Sequence, residues 1–252
     1  MKKLLFVLAI STVFVSCSTS TKPARKVSTE PTEKIIRDHK WGDFSIVLDD
    51  MRIEDEPDFM VYQHKYKILT LQEDSLHVKK TPWRTVNKKY FKDHENDLGM
   101  EVASKHNGKL SRITQPVGFG WAIGNEKHGD WEEVKKDSTL TSSSHNSHRR
   151  WRTSGTSPFF WYWLGTRRST YRNDYNRYQS NYNAGRSYYG NTNGNYTYGT
   201  RSNYQRTNRS SFFSRKTKNA SRWNSLTNRN SRSSSRYSNG SSTRSRSGGF
   251  GK

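Results

Sequence analysis

Phe44, Ile46 and Leu48 alternate with other positions in the period-two pattern of a strand with one buried face. From Phe59 to Leu71 the chain is rich in aromatic and β-branched side chains, with Met60, Tyr62, Tyr66 and Ile68 interleaved among Val61, Gln63, Lys65 and Lys67. This predicts a second strand with imperfect alternation. Thr81-Pro82 offers an N-cap and a first-turn proline, and Val86, Tyr90 and Phe91 recur at helical spacing before Leu98-Gly99, which predicts a helix. Asn107-Gly108, inside the run Gly99 to Ile113, is a strong hairpin signal. The expected fold class is α+β: a small, mostly antiparallel domain with one or two helices over residues 41–137.

The pattern then changes. Residues 138–156 read as a polar linker. Phe159-Phe160-Trp161-Tyr162-Trp163-Leu164 follows, an apolar aromatic run that water does not tolerate well. Tyr171, Tyr175, Tyr178 and Tyr182 fall on one face of a helix that Gly185 is placed to end. Such a segment, 157–185, can lie on a membrane or pack its tyrosines against the domain. Residues 186–252 show no apolar periodicity and are expected to be a disordered, basic, low-complexity tail.

Charge sharpens this division. Residues 1–138 hold 23 Lys and Arg against 21 Asp and Glu, whereas 139–252 hold 21 against one, Asp174. The dominant base also switches from Lys to Arg, and the second part holds 11 of the 14 tyrosines. With 30% hydrophobic residues the chain is too polar to form one uniform core. A domain boundary is expected near Ser138.

Met1-Lys2-Lys3 precedes a 12-residue apolar run, Leu4 to Val15, which is too short to span a bilayer and reads as a signal peptide over residues 1–16. The run ends in Phe14-Val15-Ser16-Cys17, which resembles the lipobox of bacterial lipoproteins, although Phe14 stands where that family usually has Leu. The resemblance covers residues 1–17. It implies cleavage before Cys17, acylation of its thiol as the only non-protein group, and a membrane attachment; Ser18 after the cysteine implies retention at the outer membrane of the cell envelope. Residues 17–40 then comprise the lipidated cysteine and a tether, flexible from Ser18 to about Thr32. The passage Pro116 to Trp131, rich in Gly and Trp, together with Gly248-Gly249-Phe250-Gly251-Lys252, is similar to uncharacterised bacterial envelope proteins. Its tryptophans and glycines can close the core or form a sugar- or peptide-binding turn.

Cys17 is the single cysteine, which excludes an intramolecular disulfide or a multi-cysteine metal site. His145 and His148 lack further metal ligands nearby, and the acidic stretch Asp49-Asp50, Glu54-Asp55-Glu56 and Asp58 lacks the spacing of a calcium loop, so no metal or other cofactor is expected. No catalytic motif stands in the sequence, and the chain does not read as an enzyme; an envelope hydrolase is the remote alternative.

Arginine interleaved with aromatics suits polyanions, through paired donors and ring stacking. The candidate charge carriers are Arg149, Arg150, Arg167, Arg168, Arg172, Arg201, Arg206, Arg209, Arg215, Arg222, Arg229, Arg232, Arg236, Arg244 and Arg246. The candidate apolar contacts are Phe159, Phe160, Trp161, Trp163, Tyr171, Tyr175, Tyr178 and Tyr182. Outside the cytoplasm the partners expected are anionic lipid headgroups, lipopolysaccharide, acidic polysaccharide or released DNA, and intracellular nucleic acid is not expected. The alternative is an assembly subunit that binds a protein partner through 41–137.

Overall fold

In the computed structural model, which describes residues 22–40, 42–72, 75–134, 149–160, 162, 169–192 and 194–226, the alternating stretch from Phe44 lies in the central strand. Strands β1 (Asp43–Asp55) and β2 (Met60–Gln72) form a long antiparallel hairpin, in which Glu56 N–H donates to Phe59 O across the turn at 3.0 Å. The register slips between Leu48 and Asp50, a β-bulge. Because of it, Phe44, Ile46 and Leu48 before the bulge and Met51 and Ile53 after it all join one core. A strict period of two would have put Asp50 and Arg52 on that face instead.

Strands β3 (Ser75–Lys80) and β4 (Arg84–Val86) pair with β2; β5 (Glu101–His106) pairs with β1, and β6 (Lys109–Ser111) with β5. All pairings are antiparallel, and the order is β3-β2-β1-β5-β6. The β5–β6 turn is the expected one: Asn107 and Gly108 both have positive φ, +51° and +75°, the twist that a two-residue hairpin requires. Helices α1 (Pro31–Asp38) and α2 (Lys88–Asp93) bury Ile35 and Phe91 against the sheet.

Strands β7 (Gly129–Glu133) and β8 (Arg149–Thr153) make a second small sheet. Helix α3 (Arg172–Asn183) follows, then the short pair β9 (Asn191–Thr192) and β10 (Asn195–Tyr196), α4 (Asn203–Asn208), α5 (Ser210–Lys218) and a further helical stretch over 220–226.

Two cores result. The first joins the β1 face to Phe91 and, from the far end of the chain, Phe212, Trp223 and Leu226; the Trp223 ring lies 5.2 Å from Phe91 and 5.7 Å from Phe212. The second is aromatic: Phe119, Trp121 and Ile123 meet Trp151, Phe159, Tyr178, Tyr188 and Tyr198. The Gly/Trp passage therefore closes a core, the first of its two expected roles.

The α+β class and the antiparallel sheet are as expected, but the division of the chain is not. The boundary at Ser138 is not a structural one, because both cores mix residues from either side of it. Arg149 to Thr153, expected in a linker, forms β8 because Trp151 is buried between Trp131 and the second core. Packed structure continues past Gly185 to Leu226, since Tyr188, Tyr198, Phe212, Trp223 and Leu226 each find a preformed apolar face.

Two further expectations are corrected. The helix placed from Thr81 begins only at Lys88: Tyr66 N–H donates to Thr81 Oγ1 at 3.0 Å and Thr81 N–H to Tyr66 O at 2.9 Å, so Thr81 is tied to β2, and Val86 belongs to β4. The segment from Lys22 to Val27, expected in the free tether, runs along the start of β2. Met60 N–H donates to Pro23 O at 2.9 Å, and Arg25 N–H to Met60 O at 3.0 Å.

Candidate functional site

The acidic side of β1 carries the densest charge contacts. Bulging the strand at Asp49-Asp50 offers both carboxylates to the basic helices, and each finds an arginine more than 150 residues away in sequence. Arg209 meets Asp49 at 2.6 Å, with Lys67 on the same oxygen at 3.0 Å. Arg215 places one nitrogen on both oxygens of Asp50, at 2.6 and 2.7 Å. Arg222 reaches Asp55 at 2.8 Å, where Lys22 also sits at 2.6 Å. Burial pushes the Asp49 carboxyl up, but Lys67 and Arg209 more than reverse this and hold it below its usual range. The Arg215 guanidinium also lies 5.8 Å from the Trp83 ring, which Arg52 faces at 4.4 Å.

Arg209, Arg215 and Arg222 are thus ties within the fold, not the free polyanion contacts expected of them. Asp49 is only 5% exposed, whereas Asp55 and Asp58 further along the acidic stretch are exposed.

The other candidate arginines divide further. Arg149 and Arg150 lie exposed in β8, paired in register with Glu133 and Glu132. Arg172 stacks on Trp131 at 5.0 Å and Arg201 on Tyr196 at 5.4 Å. Arg206 is exposed on α4. Cys17, Trp161, Trp163, Arg167, Arg168, Arg229, Arg232, Arg236, Arg244 and Arg246 lie outside the described residues, as do His145 and His148.

The tyrosine stripe forms the helix its spacing predicts, ending before Gly185, and of its two expected placements it takes the one against the domain. Tyr178 is buried and edge-on to Phe119 at 5.0 Å, with Tyr175 and Tyr182 half-buried beside it. Tyr171, at the start, is exposed. Phe159 is buried in the same core and Phe160 half-buried.

Beneath this aromatic layer is a polar one. Glu101 is fully buried, and its pKa is raised by that burial against hydrogen bonds such as the one from Gln115 Nε2, at 2.5 Å. Ser45 Oγ lies 2.9 Å from His106 Nε2, and Asp43 lies 3.9 Å from the other ring nitrogen. These distances resemble a nucleophile and its base. Ser45 is, however, wholly buried, and Trp121 stacks on the His106 ring at 4.5 Å, so a substrate has no approach. Burial lowers the His106 pKa to about 4, which keeps the ring neutral at pH 7. Among the described residues no cluster of His, Cys, Asp or Glu could hold a metal ion, and no helix is long and apolar enough to cross a membrane.

Among the described residues, two concavities that open to solvent stand out. A broad one of about 490 Å³ lies between the N-terminal segment and α2, lined by Arg25, Lys26, Lys88 and Tyr90 among others. A small one of about 130 Å³ is lined by Asn96, Tyr189, Tyr196, Tyr198 and Arg201. Its walls are braced from behind: Tyr189 donates to Asp97 and Tyr198 to Asp174, each at 2.6 Å, while Tyr188 donates to the other Asp174 oxygen. Gly199 lets the chain pass against the Asn96 carbonyl, 2.3 Å from where a Cβ would stand.

Of these five lining residues only Arg201 stands among the sequence candidates. Asn193-Gly194 between β9 and β10, a hairpin signal, marked the loop that carries Tyr189 to Arg201, but nothing in the spacing linked it to Asn96. No family model, curated protein or solved structure matches the chain, so its own geometry carries the functional argument.

Proposed function

We propose that the chain is a lipid-anchored protein of a bacterial envelope, acylated at Cys17 and retained at the outer membrane, whose folded body associates with anionic envelope material. The lipobox-like ending of the N-terminal apolar run supports the anchor. One observation carries the binding role: the basic half uses Arg209, Arg215 and Arg222 internally, yet leaves Arg149, Arg150, Arg177, Arg186 and Arg206 exposed on a rigid surface. The single acid of that half, Asp174, is occupied by Tyr188 and Tyr198. The reading is therefore a binding module rather than an enzyme. Exposed guanidinium groups offer paired donors to phosphates and carboxylates, and the membrane anchor raises their local concentration.

The test is binding of the detergent-solubilised chain to lipopolysaccharide, anionic vesicles and acidic polysaccharide across a salt series. A variant with Arg149, Arg150, Arg177 and Arg206 changed to Gln serves for comparison. Binding that weakens steeply with salt, with a shallower dependence in the variant, is expected. Salt-independent binding, or none to any of these, would overturn the reading and move the function to a protein partner of residues 41–137. Acylation is read separately, by phase partition of the wild type against Cys17→Ser.

A further inference from the structure

The small concavity has the makings of a sugar site. Its volume of about 130 Å³ is close to the ~150 Å³ of a cavity that holds one benzene ring, and well under the ~300–1,000 Å³ of pockets for drug-sized ligands. It therefore seats one six-membered ring within its walls. Three of its five lining residues are tyrosines, whose ring faces receive the C–H faces of a pyranose. Tyr189 and Tyr198 cannot collapse into the space, because their hydroxyls are held by the carboxylates of Asp97 and Asp174.

Charge at the rim chooses among sugars. Arg201 is exposed, stacks on Tyr196 and makes no ion pair with an acid among the described residues. A guanidinium placed over a ring still has donors for a carboxylate or phosphate, which it grips through two parallel hydrogen bonds. Asn96 adds an amide of the kind that orients sugar hydroxyls.

We infer that the cleft of Asn96, Tyr189, Tyr196, Tyr198 and Arg201 binds a single pyranose ring carrying one exocyclic anion, stacked on tyrosine and clamped by Arg201. This deepens the proposed association with anionic envelope material and rests on it. A carboxylated ring is supplied by acidic polysaccharide, and a phosphorylated ring by lipopolysaccharide.

The experiment is calorimetric titration of the full chain, in a sugar-free detergent, with glucuronate, glucose 6-phosphate and glucose. Arg201→Gln and Tyr196→Ala alter the cleft, and Arg84→Gln, at an exposed arginine of β4, serves as a control of equal charge outside it. At least one of the two anionic sugars is expected to bind ten-fold or more tightly than glucose, and whichever binds more tightly identifies the source. Arg201→Gln should remove that preference, Tyr196→Ala should weaken all binding, and Arg84→Gln should change neither. Equal affinity for the three sugars, no binding of any, or equal loss in the Arg84 control would overturn the inference. Polymer binding in the salt series is scored independently, so loss of the cleft leaves the surface-charge reading standing, and the reverse also holds.

Discussion

The two halves of the chain differ in almost every compositional respect, yet neither encloses its own core. Residues 1–138, rich in Lys and balanced by acids, build the sheet; the Arg- and Tyr-rich half after it supplies Phe212, Trp223 and Leu226 to one side and Trp151, Phe159 and Tyr178 to the other. The first half makes the acidic strand, and the second brings the guanidinium groups that neutralise it. A sharp change in composition can thus mark complementary surfaces of one fold as readily as the border between two.

The largest effect that would break this picture is loss of the apolar bridge. Trp223→Ala or Phe212→Ala should destabilise the sheet itself by about 3–5 kcal/mol in denaturant unfolding, the usual cost of removing a buried aromatic side chain. A sheet transition left unmoved would return the second half to the status of an appendage.

Acid should act next. A buried histidine with a lowered pKa stays neutral in the folded chain while the unfolded chain takes up a proton, so its stabilising effect is complete above pH 6.5 and is lost as pH falls toward its folded value. For His106, pushed down to about 4, this amounts to roughly 3 kcal/mol over that window, and His64, well below its ordinary value through burial and the nearby His94, adds in the same direction. Asp49, held low, loses its own contribution only further down, as pH falls below the ordinary carboxylate range through its depressed folded pKa. Measured from pH 7 to 3, stability should hold to about pH 6.5 and then decline, opposed by Glu101, whose raised folded pKa makes it take up its proton first in the folded chain.

Asp49→Ala follows. It strands Arg209 and Lys67 beside a bulge, at a cost of about 2 kcal/mol, less than for a fully buried pair because Arg209 keeps 27% of its side chain in water. Smallest on stability are Arg149→Gln and Arg150→Gln, expected within about 0.5 kcal/mol of wild type in the same unfolding assay. Their effect should appear in polymer binding instead. That contrast separates arginines that hold the fold from those that face outward.

Much of the sheet was legible in the sequence: alternation gave Phe44 to Leu48, Asn107-Gly108 gave a hairpin, and the tyrosine spacing gave α3. What misled was density. Tyr188, Tyr198, Phe212, Trp223 and Leu226 are too far apart to show a period; Tyr188 and Tyr198 are buried in the aromatic core around Phe119, and Phe212, Trp223 and Leu226 against the sheet. Thr81-Pro82 looked like a helix start because local capping chemistry is visible in a sequence, whereas the pull of Tyr66 from a neighbouring strand is not. The cleft joins Asn96 to Tyr189 across more than ninety residues, and no spacing rule spans that distance.

The pairing of Pro23 and Arg25 with Met60 sets a leash. With Cys17 acylated as proposed, only Ser18 to Thr21 separate the lipid from Lys22, whose ammonium is tied to Asp55 at the end of β1. Five peptide steps reach at most about 17 Å even when drawn straight. On that proposal the body is held at the end of the β1–β2 hairpin, where Phe59 is 37% exposed with the Arg25 guanidinium 5.5 Å from its ring, an aromatic and a cation suited to a headgroup boundary. Close mooring of this kind would give the protein a fixed top and bottom, and hence a direction in which to present whatever it holds.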